Sequence, residues 1–149
     1  YFGILHTVRA VLPIMEANGS GHLIHIGSLG GKVATAKSAA YAATKHAVLG
    51  FTAALRQELR GTGISVSAVN PGPVRTPFFE QADPSGNYLR NLPSWFVLDA
   101  KTVANAVLKV AISGRREYNL PWIAAWGAKL YSLFPGWSER LARNWLNRK

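Results

Sequence analysis

SLGGKVATAKSAAYAATK, residues 28–45, is the stretch on which the fold turns, because it runs from the end of one regular element into the start of another. Immediately before it, His22–Ser28 (HLIHIGS) is a short, mostly apolar run between Gly-rich turns, which predicts a buried parallel strand ending at Ser28. The loop Leu29–Lys37 then leads to Ser38, a predicted N-cap, and to a long helix from Ala39 to about Arg60. Thr62-Gly63 closes that helix, and Ile64–Asn70 (ISVSAVN) reads as the next strand. Strand, helix and strand of these lengths make a βαβ unit, which crosses over right-handed into a parallel sheet.

The same stretch carries chemistry. Tyr41 and Lys45 are four residues apart, about one helical turn, so they share a helix face. A free Tyr has a pKa of about 10. A cation within about 4 to 6 Å favours the phenolate and brings the phenol toward the range where acid/base catalysis works near neutrality. Ser28 stands at a strand's carboxyl end, where ligands bind in open α/β sheets, and supplies a second donor to the same substrate oxygen. Pro71–Pro77 (PGPVRTP) follows the next strand as a rigid loop with little capacity for ladder bonds.

Ser28, twelve residues, Tyr41-x-x-x-Lys45, and then Asn70-Pro71-Gly72-x-x-x-Thr76 together resemble the short-chain dehydrogenase/reductase family, over residues 1 to about 121. A lone Tyr-x-x-x-Lys is common on exposed helices; three motifs in order, each on its expected element, are specific. The resemblance implies a Rossmann-like, doubly wound parallel sheet and a hydride moved between NAD or NADP and an alcohol or carbonyl substrate. It implies that Tyr41 donates or accepts the substrate proton, that Lys45 bonds the nicotinamide ribose and that Ser28 steadies the substrate oxygen. In the same cofactor loop as Pro71 and Gly72, the Val74 backbone and the Thr76 hydroxyl are implied to contact the nicotinamide carboxamide. Homo-oligomers are implied to pair through the helices predicted at residues 1–18 and 39–60.

The first of those helices places Ile4, Leu5, Val8, Val11, Leu12 and Met15 at helical spacing. Pro13 is expected to kink its last turn, and Asn18-Gly19 to stop it. In the family this helix begins near an Asn three residues before a Gly; Gly3 matches, and the Asn would fall just before Tyr1. The family's Gly-rich phosphate turn, the residue that chooses NAD or NADP and an Asn-Asn-Ala-Gly segment have no counterpart here. With Tyr1 first and Met15 the only Met, the sequence is read as part of a longer protein, its sheet incomplete at the N-terminal strands. By itself it is expected to bind cofactor poorly.

Downstream, residues 78–98 intersperse Phe78, Phe79, Tyr88, Trp95 and Phe96 with turn formers, as a mobile lid over an apolar pocket does, and this points to an apolar substrate. Asp99 is a predicted cap for a helix over residues 100–113 ended by Gly114, and Glu117–Leu120 is a predicted short strand. The small residues Ala39, Ala40, Ala42, Ala43 and Ala47 at the start of the long helix allow close approach of the sheet, a cofactor or a partner helix.

Composition narrows the alternatives. Hydrophobic residues make up 48% and charged residues 16% of the 149, so the chain folds rather than stays disordered. Zero cysteines exclude disulfides, thiolate metal sites and Cys nucleophiles. Of the four histidines, His22 and His25 point to opposite faces of a strand and His6 and His46 stand alone on helices, so none makes a metal site. Ile26 occupies the position where both a phosphate-binding P-loop and a Ser nucleophile elbow require Gly.

The net charge is +10, and residues 115–149 contribute +5 of it. Residues 122–149 therefore read as a separate aromatic and basic helical tail after a catalytic portion at 1–121, with Pro135-Gly136 dividing it into two helical pieces. The leading expectation is that the tail packs on the core and covers a subunit edge; the second is that it lies in a membrane interface. Nucleic-acid binding ranks last, because no reader motif accompanies the charge. No apolar run approaches the ~20 residues that span a bilayer, so the expected location is the cytoplasm, with peripheral membrane contact as the variant. The competing functional reading is a non-catalytic membrane-surface or protein-interaction module acting through residues 122–149.

Overall fold

A computed structural model describes residues 1–138 and 140. Helix α1 (Phe2–Ala17) continues through Pro13, and the chain turns at Gly19, whose φ is 63°, into strand β1 (Gly21–Ile26). A 3-10 turn, Leu29–Gly31, precedes helix α2 (Ala39–Glu58), which leads to strand β2 (Ile64–Pro71). Short helices α3 (Phe78–Ala82) and α4 (Asn87–Arg90) are followed by α5 (Ala100–Ser113), strand β3 (Glu117–Leu120) and α6 (Trp122–Leu133).

The three strands form one parallel sheet in the order β1-β2-β3. Gly21 pairs with Ile64 at one end of the first ladder and Ile26 with Val69 at the other; in the second, Ala68 pairs with Glu117 and Pro71 with Leu120. β3 starts beyond Val66, and there Arg56 of α2 takes over: its Nε donates to the Val66 carbonyl at 2.8 Å and its Nη2 to the Arg116 carbonyl at 3.0 Å. The Arg116 carbonyl also accepts from Ala68 N–H at 3.0 Å, so Arg56 extends the bonding where the ladder ends.

Helices cover both faces, which makes the sheet doubly wound. On one face Val8 of α1, Leu55 of α2 and Leu59 just beyond it pack with Leu23, Ile64 and Val66. On the other, Ala106 and Val110 of α5 pack with Val69, and Ile24, Tyr118 and Leu120 pack against them. Each Val or Leu buried this way contributes roughly 1.5–3 kcal/mol. The two strand histidines follow the same alternation: His22 Nε2 meets Ser67 Oγ, and His25 Nδ1 meets Thr52 Oγ1 of α2, each at 2.8 Å. The fold is Rossmann-like α/β, with three strands among the described residues.

Local details depart from the sequence reading in four places. β1, expected to end at Ser28, ends at Ile26, and Ser28 instead caps the 3-10 turn by accepting from Gly30 N–H. Ser38 occupies the N-cap position of α2 but makes no side-chain cap; its hydroxyl donates to the Thr35 carbonyl at 2.7 Å, a local bond that competes with capping. The long helix ends at Glu58, two residues earlier than expected, and the chain leaves it through Gly61 and Gly63, at φ 86° and 80°. The proline-rich loop after β2 does carry a bridge: Leu98 N–H donates to the Pro73 carbonyl and Arg75 N–H to the Leu98 carbonyl, both at 2.8 Å. Elsewhere Asp99 caps α5 by accepting from Thr102 N–H at 2.6 Å, and Gly114 ends it at φ 63°. Trp145, Arg143, Arg148 and Lys149 of the tail lie outside the described residues.

Candidate active site

The carboxyl ends of β1 and β2 come together at a glycine. A Cβ at Gly27 would collide with the Asn70 side-chain oxygen, so β1 can lie this close to the Asn70 side chain only with glycine there. Ser28 follows in extended conformation and is 8% exposed. Its Oγ accepts from Gly30 N–H at 3.0 Å, and its O–H donates to the Pro71 carbonyl at 3.4 Å. The second bond is long for a hydroxyl donor, so the proton is easily redirected to another acceptor.

Gly30 matters for a different reason. A Cβ there would stand 2.9 Å from Tyr41 Cε1 and 3.4 Å from Ser28 Oγ. Glycine therefore lets the Tyr41 ring close on Ser28 from across the 3-10 turn. At Gly31 a Cβ would be 2.6 Å from the Lys45 carbonyl oxygen, so the turn also lies directly against α2.

Tyr41 and Lys45 stand one turn apart on α2. The Lys45 Nζ is 5.9 Å from the Tyr41 ring centroid and donates to the Ile26 carbonyl at 3.3 Å. Burial pushes the Lys45 pKa below its ordinary value. Tyr41 itself is 39% exposed, and the space before it is a cleft of about 1080 Å³.

That cleft brings the sequence-predicted residues together. Ser28, Tyr41 and Lys45 line one side, and Pro71, Gly72, Val74 and Thr76 line it from the loop after β2. Thr76 Oγ1 donates to the Val74 carbonyl at 3.4 Å. The lid segment supplies an aromatic chain leading away from Tyr41. Phe78 lies 6.0 Å from the Tyr41 ring, Phe79 lies 5.3 Å from Phe78, and Tyr88 stacks on Phe79 at 5.6 Å. Desolvation, with a smaller effect from Tyr41, raises the Tyr88 pKa.

Two parts of the surroundings escaped the sequence reading. One is α6, whose Ala124, Ala128 and Tyr131 form a wall of the cleft. The other is a polar network behind the site: Asn70, fully buried, donates from Nδ2 to Glu117 Oε1 at 2.6 Å and to Asn119 Oδ1 at 2.9 Å. Glu117 in turn pairs with Lys32 at 2.5 Å, fastening the loop after β1 across to β3.

A parallel sheet with helices on both faces and a cleft beyond the strands' carboxyl ends defines a Rossmann-like α/β protein. Comparison with known proteins narrows this: the short chain dehydrogenase family matches over residues 1–86, and the chain belongs to it. An uncharacterized oxidoreductase of Staphylococcus haemolyticus is 37% identical over 106 residues, 71% of this chain and 42% of that protein. The dehydrogenase/reductase SDR family protein 7-like of Drosophila melanogaster is 46% identical over 76 residues, 51% of this chain and 23% of that one. Among solved structures, a short chain dehydrogenase from Burkholderia cenocepacia in complex with NADP superposes with TM-score 0.75 at 26% identity, covering 97% of this chain and 56% of that one. A serine dehydrogenase complexed with NADP+ superposes with TM-score 0.71 at 30% identity, covering 79% and 50%. The chain spans less than half the length of these curated relatives.

Proposed function

We propose that this chain supplies the catalytic and nicotinamide-facing side of an NAD- or NADP-dependent oxidoreductase acting on an alcohol or carbonyl with apolar substituents. The observation that carries the reading is the convergence of Ser28, Tyr41 and Lys45 on one cleft at the carboxyl ends of β1 and β2. Membership of the family and NADP-bound structural relatives support it.

The residues present fit the nicotinamide end of such a cofactor. The donor set of Lys45, Tyr41 and Thr76 faces a cleft of about 1080 Å³, and Pro71, Gly72 and Val74 offer it backbone with little side-chain bulk. Bound there, the nicotinamide supplies or takes up the hydride. For carbonyl reduction Tyr41 delivers the proton to the substrate oxygen, and for alcohol oxidation it receives it. The Ser28 hydroxyl turns from Pro71 to the same oxygen and holds it in register. The Lys45 ammonium stabilises negative charge developing on the phenol oxygen and bonds the ribose, while the Val74 backbone and the Thr76 hydroxyl hold the carboxamide. Phe78, Phe79 and Tyr88 exclude water from the substrate's apolar part.

Pairing into homo-oligomers through α1 and α2 belongs to the same reading, as does a cytoplasmic location. Among the described residues no helix is long and apolar enough to cross a membrane. A non-catalytic role for residues 122–149 is the weaker reading, because α6 lines the same cleft as Tyr41. The deciding experiment follows nicotinamide absorbance with the full-length protein and a panel of apolar ketones and secondary alcohols, beside Tyr41→Phe. Turnover that the substitution abolishes, with cofactor binding retained, supports the reading. Equal turnover in both proteins overturns the role of Tyr41.

A further inference from the structure

Helix α6 is built inside out. Its cleft side carries the small residues Ala124 and Ala128, the latter 5% exposed, whereas its large apolar side chains face away from the protein. Trp122, Trp126, Leu130 and Leu133 are 69%, 61%, 51% and 62% exposed. Their spacing of i, i+4, i+8 and i+11 places them on one stripe. Lys129 falls on that stripe too, its Nζ 5.6 Å from the Trp126 ring centroid. Just beyond the helix, Trp137 is 64% exposed.

We infer that this outward face of α6 is a docking surface for an anionic lipid bilayer. Three observations choose that occupant. First, the apolar stripe is the convex side of a helix; a bilayer interface accepts such a shape directly, whereas a protein partner must bring a groove to match it. Second, indole rings beside an amphipathic cation suit the headgroup level, where Trp sits half in hydrocarbon and Lys extends its charge toward phosphate. Third, the charge is one-sided: residues 115–149 contribute +5 of the net +10, and residues 122–138 hold Lys129 and no acid. A second copy would set Lys129 against a face of the same sign, and an anionic surface does not. Twelve residues of helix reach only about 18 Å, so α6 lies in the interface plane and does not cross it. The inference stands independently of turnover in the cleft.

The test is flotation of the full chain with vesicles of phosphatidylcholine alone and of phosphatidylcholine with phosphatidylglycerol, read also by the blue shift of Trp emission. The chain is expected to float with the anionic vesicles and to remain largely unbound with the neutral ones. A Trp126→Gln, Leu133→Gln double variant should stay unbound while keeping its helical circular dichroism, since both positions are exposed. Lys129→Gln, at an exposed position, should weaken binding to anionic vesicles roughly fivefold. No flotation, equal partition into both vesicle types, or unchanged flotation of the double variant overturns the proposal. So does sedimentation showing a dimer that the double variant dissolves.

Discussion

The Lys45 ammonium donates to the carbonyl oxygen of Ile26 at 3.3 Å, so the last residue of β1 holds in place the cation that stands one turn from Tyr41. This bond ties the helix that carries Tyr41 to the strand whose end carries Ser28. Burial depresses the Lys45 pKa below the ordinary 10.5. The unfolded chain therefore binds that proton more tightly between the two values, and stability rises with pH across the window. Below the window the fold bears the full cost of the buried charge.

Lys45→Met should accordingly separate stability from activity. Its thermal midpoint at neutral pH is expected to equal or exceed that of the parent, while turnover falls by roughly 10²-fold or more. Differential scanning calorimetry beside nicotinamide turnover measures both. A midpoint several degrees lower would mean that the bond to Ile26 outweighs the burial.

Gly30→Ala tests whether the approach of Tyr41 to Ser28 sets the rate. The new methyl would lie 2.9 Å from Tyr41 Cε1, so the ring must shift. Displacement of a proton donor by even a fraction of an ångström is expected to lower kcat by roughly ten- to a hundredfold with a smaller change in KM. An unchanged kcat would show that the ring has room to yield.

His25 gives a stability dependence of its own. It is 6% exposed, stacks on Phe51 at 5.9 Å, bonds Thr52 through Nδ1, and its Nε2 has no hydrogen-bond partner among the described residues. Burial first, and Arg56 second, lower its pKa from 6.5. As pH falls below that ordinary value the unfolded chain protonates first, so stability is lost progressively down to the depressed folded value. Urea midpoints taken between about pH 7 and about pH 5 should decline, and His25→Leu should flatten the decline.

Gly27 and Asn70 should behave as one unit. Gly27→Ala drives a methyl into the Asn70 side chain and is expected to cost roughly 1–3 kcal/mol. Asn70→Ala leaves Glu117 and Asn119 without their shared donor, also roughly 1–3 kcal/mol. Because each substitution removes what the other disturbs, the double variant should lose less than the two costs together. Strict additivity in chemical denaturation would argue that the contact relaxes without strain.

The elements and the grouping of Ser28, Tyr41 and Lys45 were legible because their signals are local. An apolar run between glycines marks β1, and a four-residue interval fixes two side chains on one face of α2. Asn70 and its acceptors were not legible, since 47 and 49 residues separate them and only the register of β2 against β3 brings them together. The need for glycine at position 30 arises from a ring on another element. Ser38 reads as a cap, and Thr35, three residues earlier, captures its hydroxyl. In α6 the Trp and Lys residues dominate the composition, whereas its contribution to the cleft comes from small residues that leave almost no hydrophobic signal.

Order in the sheet equals order in the chain. As the polypeptide emerges during synthesis, β2 finds β1 already made and β3 finds β2. The Lys32–Glu117 pair and the two Asn70 bonds complete themselves only when β3 arrives. The loop that carries Ser28 is thus fastened across the sheet only after β1, α2 and β2 are in place, by a strand that lies about ninety residues further on.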